Sequence, residues 1–244
     1  MKTKHILILF LSMALASCVR VQTGDGSNKV EQEGSMGTAH RKVGNFNALE
    51  IEGVFNVTIT QGSETGISIE ADKALLEHII TQVEGNTLVL KMEDDTDFGD
   101  IDPIKIKVQV ADLNRLKTSG VGMVKSQDIL KLDQFSMICE GVGAIDLKLS
   151  ANNLIVKSET VGAITLAGKV KDADITHNGV GVLQAFELLT QNLKLSSNGV
   201  GAAEVHASET IDIKASGIGS VQYKGNPKSK NIKSEGIGKV EAVE

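Results

Sequence analysis

The chain has 244 residues, a net charge of −6 and only 3% aromatic residues, with no Trp and one Tyr. An acidic chain is a poor nucleic-acid binder, because affinity there comes mainly from phosphate neutralisation, and it adheres weakly to anionic lipid. A core with so few rings has to be built from Val, Ile, Leu and Ala, which favours β-structure.

Lys2 and Lys4 precede an apolar stretch, Ile6 to Ala16, that is too short for a permanent membrane span but matches the core of a signal peptide. Leu15-Ala16-Ser17-Cys18 follows and resembles the bacterial lipobox, in which the cysteine receives a diacylglyceryl thioether. Residues 1–17 are therefore expected to be removed, leaving Cys18 as the lipidation site and the membrane anchor. Val19 stands where inner-membrane lipoproteins tend to carry Asp, which points to the outer membrane. The run Val-Arg-Val-Gln-Thr leaves the surface and periplasmic faces both open. Residues 18–43, rich in Gly, Ser, Gln and charge without an apolar period, read as a flexible tether, and residues 44–244 as one β-rich domain.

Over 46–110 the sequence alternates as strands do: Val54-Phe55-Asn56-Val57-Thr58-Ile59-Thr60, Gly66-Ile67-Ser68-Ile69-Glu70, Thr87-Leu88-Val89-Leu90-Lys91 and Ile104-Lys105-Ile106-Lys107-Val108. Asp72 to Ile80 predicts one short helix capped by Asp72. This section is expected to start and cap the fold that follows. Its acidic run, Glu93, Asp94, Asp95, Asp97, Asp100 and Asp102, offers hard oxygen ligands suited to calcium, but its spacing matches no EF-hand and solvation explains it as well.

From residue 113 a motif recurs. Gly120-Val121-Gly122 is followed by Gly141-Val142-Gly143, Thr160-Val161-Gly162, Gly179-Val180-Gly181, Gly199-Val200-Gly201, Gly217-Ile218-Gly219 and Gly236-Ile237-Gly238. The second glycines lie 21, 19, 19, 20, 18 and 19 residues apart, the mark of a solenoid of stacked coils. The flanks alternate with period 2, so the coils are strands bent at Gly-x-Gly, giving an all-β, single-stranded parallel β-helix of about 19-residue coils. Columns four before, two before, one after and four after the first Gly are all expected to form internal ladders. The glycines read as structural turn residues. A dinucleotide fingerprint occurs once, between strand and helix, and a calcium β-roll needs Gly-Gly-x-Gly-x-Asp about every nine residues, so neither fits.

Phe46-Asn47-Ala48-Leu49, Gly53-Val54-Phe55-Asn56-Val57-Thr58-Ile59-Thr60-Gln61-Gly62 and the Ser119-Gly120-Val121-Gly122 repeats resemble the head GIN domain family of auto-transporter adhesin heads, over roughly 43–244. A lipid-modified cysteine before such a domain resembles its Bacteroidetes members. The resemblance implies a right-handed β-helix of pectate-lyase-like shape and an adhesin role, with the fold better supported than the role.

Three functions follow. The first is a non-enzymatic envelope protein presenting a rigid face to a protein or glycan, with Lys117, Lys157, Lys214 and Lys233 on one outer column. The second is a polysaccharide-acting enzyme of pectate-lyase type, disfavoured by three Arg in the whole chain and almost no aromatic platforms. The third is a periplasm-facing partner in envelope maintenance or signalling. No cofactor is implied. The five histidines, His5, His40, His78, His177 and His206, lack metal-ligand spacing, and Cys139, with no second cysteine left for a disulfide, reads as a small core residue. The sequence does not set the oligomeric state.

Overall fold

The structure, a computed structural model, describes residues 28–244. The expected signal peptide and Cys18 lie outside the described residues. The fold is all-β, with 73% strand and 2% helix, and its parallel strands stack into a β-solenoid of about six turns whose coils lie about 20 residues apart. Val180 pairs with Val200 and Val200 with Ile218, so side chains one coil apart in sequence touch in space.

The coils do not stack in sequence order at the N-terminal end. Ala48–Glu52 and Val54–Gln61 form a first coil that pairs in parallel with Arg115–Thr118 and Val121–Ser126. On its other side, Thr87–Met92 and Ile104–Val110 form a further parallel coil. The chain therefore builds coil 48–61, drops outward to build coil 87–110, and returns across both to begin the Gly-x-Gly series.

Antiparallel strands close that end. Ile79–Glu84 pairs with Thr87–Met92, Gly66–Asp72 with Ile104–Val110, and Met36–Arg41 with Gly66–Asp72. Two expectations are corrected here. Within the tether expected over 18–43, Met36–Arg41 belongs to the sheet and Asn28–Lys29 pairs with Thr96–Asp97. An isolated edge at Gly66–Asp72 would leave a row of unpaired amides, and this segment covers it. The helix spans only Lys73–Leu76, because Ile79 and Ile80 alternate in the next strand instead.

Asp72 caps that helix as expected. Its carboxylate accepts from Ala74 N–H at 2.9 Å and from the N–H groups of Glu33 and Ser35, both at 3.1 Å. Burial raises its pKa, but these backbone donors, with that of Gly34, outweigh burial and hold it below the ordinary carboxylate value. Arg41 ties the cap together: its guanidinium donates to the carbonyls of Leu76 (2.6 Å) and Ile79 and to the Thr81 hydroxyl (2.9 Å).

Inside the rod, aliphatic columns run along the axis. Leu116, Met137, Val156, Ile175, Leu195 and Ile213 form one, and Val124, Ile145, Ile164, Leu183, Ala203 and Val221 another, all buried. Full burial of one such Val, Leu or Ile contributes about 1.5–3 kcal/mol, so the columns dominate the stabilising side of folding.

The bends require glycine because successive coils approach with no room for a side chain. A Cβ on Gly199 would lie 2.0 Å from the carbonyl oxygen of Gly179, and one on Gly201 1.7 Å from that of Gly181. Gly201 also sits at φ +143°, a conformation that L side chains rarely adopt. The bend at Thr160-Val161-Gly162 runs through continuous strand, with Thr160 buried and its hydroxyl 3.2 Å from that of Ser158.

The column one after the first glycine is not internal, contrary to expectation. Val121, Val142, Val161, Val180, Val200, Ile218 and Ile237 all face outward, with exposures from 48% to 74%. Alternation carries straight through the bend: the buried columns stand at even offsets from the first glycine, and the valine stands at an odd one.

Candidate functional site

The bends project a straight apolar ridge along the rod. It begins at half-buried Val54, opposite Val121, and continues through the seven exposed Val and Ile residues to Ile237. Seven inter-coil steps of about 4.8 Å make it roughly 34 Å long. The flanking glycines leave its sides uncovered. One neighbouring column is small and apolar over Met123, Ala144, Ala163, Val182 and Ala202 and turns polar at Ser220 and Lys239; the other, Ser119, Glu140, Glu159, Asn178, Asn198, Ser216 and Glu235, is polar. Asn178 accepts from Asn198, and Ser216 donates to Asn198, so that polar column is bonded from coil to coil.

Around the corner from the ridge the outer face runs from the solenoid into the cap across five strands. Register places Met123, Asn56, Lys105, Glu70 and Thr38 in one row, and Lys125, Thr58, Lys107, Ser68 and His40 in the next. A groove of about 300 Å³ opens over these rows. Lys105 donates to Glu70 at 2.9 Å. That hydrogen bond and the charge of Lys105, helped by Lys107, hold the Glu70 carboxyl below its ordinary value despite an opposing effect of partial burial. Asn56 accepts from Met123 N–H at 3.0 Å, which leaves its amide NH₂ as the free donor.

The remaining candidate residues are dispersed. The acidic loop does not converge: Glu93 meets His78 at 2.6 Å, Asp94 meets Lys91 at 2.6 Å, and Asp97 accepts from Gly99 N–H at 2.9 Å. Among the described residues no three carboxylate, His or Cys groups gather as a metal set. Of the outer lysines, Lys117 pairs with Glu50 at 2.7 Å, which raises its pKa, while Lys157, Lys214 and Lys233 are exposed.

Cys139 lies fully buried in the small internal column that also holds Thr118, Ser158 and His177, and burial pushes its thiol up to about 12. A thiol so protonated is no nucleophile at neutral pH. His177 is 3% exposed; its Nδ1 lies 3.3 Å from the Ser158 hydroxyl, its Nε2 has no partner, and burial lowers its pKa. The two features that sequence reasoning missed are the outward ridge and the lysine rows. Strict counting of odd and even offsets would have found the first. The second needed the strand register.

The family model described as "Putative auto-transporter adhesin, head GIN domain" matches residues 45–227. The chain belongs to the head GIN domain family. Among solved structures, the fold is similar to that of a "putative adhesin" from Bacteroides fragilis, 29% identical with a TM-score of 0.84, covering 88% of this chain and 99% of that one. A "putative adhesin" from Parabacteroides merdae is 22% identical with a TM-score of 0.59, over 89% and 100%. A "putative lipid binding protein" from Parabacteroides distasonis is 20% identical with a TM-score of 0.63, over 89% and 100%. The latter two share the fold alone. No curated protein matches the chain. Among the described residues no helix is long and apolar enough to cross a membrane.

Proposed function

We propose that this head GIN protein is a non-enzymatic, adhesin-like envelope lipoprotein that holds a protein partner along the side of its rod. The outward ridge carries the reading. Seven β-branched side chains in one straight column, about half exposed or more, exceed the scattered apolar residues of an ordinary surface, and contiguous patches of this kind mark interaction sites. The ridge offers shape and apolar area but no donors, acceptors or aromatic platforms, so it suits a protein surface better than a sugar. The Bacteroides fragilis relative, named a "putative adhesin", supports the same role. The lipobox-like Leu15-Ala16-Ser17-Cys18 supports attachment to the outer membrane through lipid on Cys18.

The test is site-specific photo-crosslinking in living cells. A benzophenone amino acid replaces Val180 on the ridge or, as a control, Lys214 on the neighbouring face. Protein adducts at 180 and none at 214 are expected. No adducts at either position, or equal adducts at both, would overturn the reading, as would new reducing ends released from acidic polysaccharides by the purified chain.

A further inference from the structure

The groove over the lysine rows has the makings of a ligand site distinct from the ridge. Lys105 and Lys107 stand two residues apart on Ile104–Val110, and Lys125 stands two strands away. Strand geometry separates the Cα atoms of Lys105 and Lys107 by roughly 7 Å and those of Lys107 and Lys125 by roughly 10 Å. The Glu70 carboxylate bonds Lys105 and also feels the charge of Lys107. Among the described residues, Lys107 and Lys125 form no ion pair, although Asp146 stands opposite Lys125 on the next strand. A chain of net charge −6 thus gathers three ammonium groups in one concavity, against the single carboxylate of Glu70 in its lining.

Beside the apolar Met123, the lining supplies hydroxyls and an amide: Thr58, Ser68 and Thr38, with the Asn56 NH₂ left free by its bond to Met123. Ammonium groups interleaved with small neutral hydrogen-bonding side chains match a polymer that alternates anionic groups with hydroxyls. The groove presents no guanidinium fork, the group best fitted to grip phosphate in two places, because Arg41 is spent on the cap.

We propose that this groove binds an acidic saccharide, with its anionic groups on Lys107 and Lys125 and its ring hydroxyls on Thr58, Ser68 and Asn56. The inference rests on reading the chain as a binding protein. It concerns a different face, so its failure would leave the crosslinking result at Val180 unchanged.

The chain from residue 18 onward, carrying Cys18→Ser, is titrated calorimetrically with hyaluronate, heparin, dextran and polyphosphate. Binding is expected to hyaluronate or heparin, and to weaken as salt rises. The first arm reports carboxylate recognition and the second sulfate recognition; either supports the site. The double variant Lys107→Gln/Lys125→Gln should bind at least about tenfold more weakly with an unchanged melting temperature, since charge-assisted hydrogen bonds are the strong ones. Val180→Thr should leave the titration as it is. The proposal is overturned by absent binding to both acidic glycans, by an undiminished double variant, by dextran binding comparably, or by polyphosphate binding as tightly as the better glycan.

Discussion

His177 is the least comfortable residue of the interior. It occupies a column otherwise filled by Thr118, Cys139, Ser158, Ser197 and Ala215, and one ring nitrogen finds no partner. Burial favours the neutral ring, so its folded pKa lies below its unfolded one, near 6.5. In the unfolded chain the ring takes up a proton as pH falls through that range; in the fold it resists. Its contribution to stability is therefore complete above about pH 6.5 and is lost as pH drops toward the folded value. The slope for one such group cannot exceed about 1.4 kcal/mol per pH unit. His206 shifts the same way, mainly through burial, with Glu187 opposing and Lys224 adding to the effect. Denaturant melts of native and His177→Ser chains between pH 7.5 and 5 check this. The native midpoint should fall on acidification and that of His177→Ser should fall less, because the serine matches the column and carries no titrating ring. Parallel curves would show that His177 does not carry the effect.

At the scale of elements, the cap hangs on one side chain. Arg41 serves two carbonyls and a hydroxyl from the helix end and the strand after it. Arg41→Ala strands these acceptors, and hydrogen bonds to a charged donor are worth about 1.5–3 kcal/mol, so a loss of about 2 kcal/mol is expected. Arg41→Lys should recover only part, because a single ammonium cannot span the fork. Hydrogen exchange locates the effect: amides of 73–84 should exchange faster while those of 134–215 keep their protection. Uniform acceleration would mean that the cap does not open by itself. The same region shows where sequence legibility ends. The Gly-x-Gly coils were readable because the second glycine position of each bend leaves no space for a side chain, which writes the period into the sequence. The N-terminal coils lack that mark: Phe55 stands where the second glycine would be, and it is the strand register that puts 87–110 beneath 48–61. The lysine rows were half legible. Ile104-Lys105-Ile106-Lys107 places both lysines on the outer face, yet nothing local brings Lys125 beside them.

The whole molecule is a rod with two unlike ends. Antiparallel strands and a short helix close the first. At the second, Ser229–Ser234 and Ile237–Ala242 each have a neighbour on one side only and leave an open edge. Such an edge is a template for pairing, and proteins commonly guard it with charge. Here the guard stands on the axis. Lys230 occupies the inward column above Ile211, one register before Ile232 above Ile213, and its ammonium lies 5.8 Å from the ring centre of the buried Tyr223. Cation–π attraction holds the charge across the end of the core, so a second rod stacking there would have to bury it unpaired. Lys230→Ile removes that obstacle and extends the aliphatic column to the open end. Its sedimentation-velocity weight-average mass should climb with concentration, while Lys230→Gln, which keeps a polar group on the axis, should show no rise, like the native chain. If Lys230→Ile sediments as the native chain does across the same range, the inward lysine is not what keeps this end free.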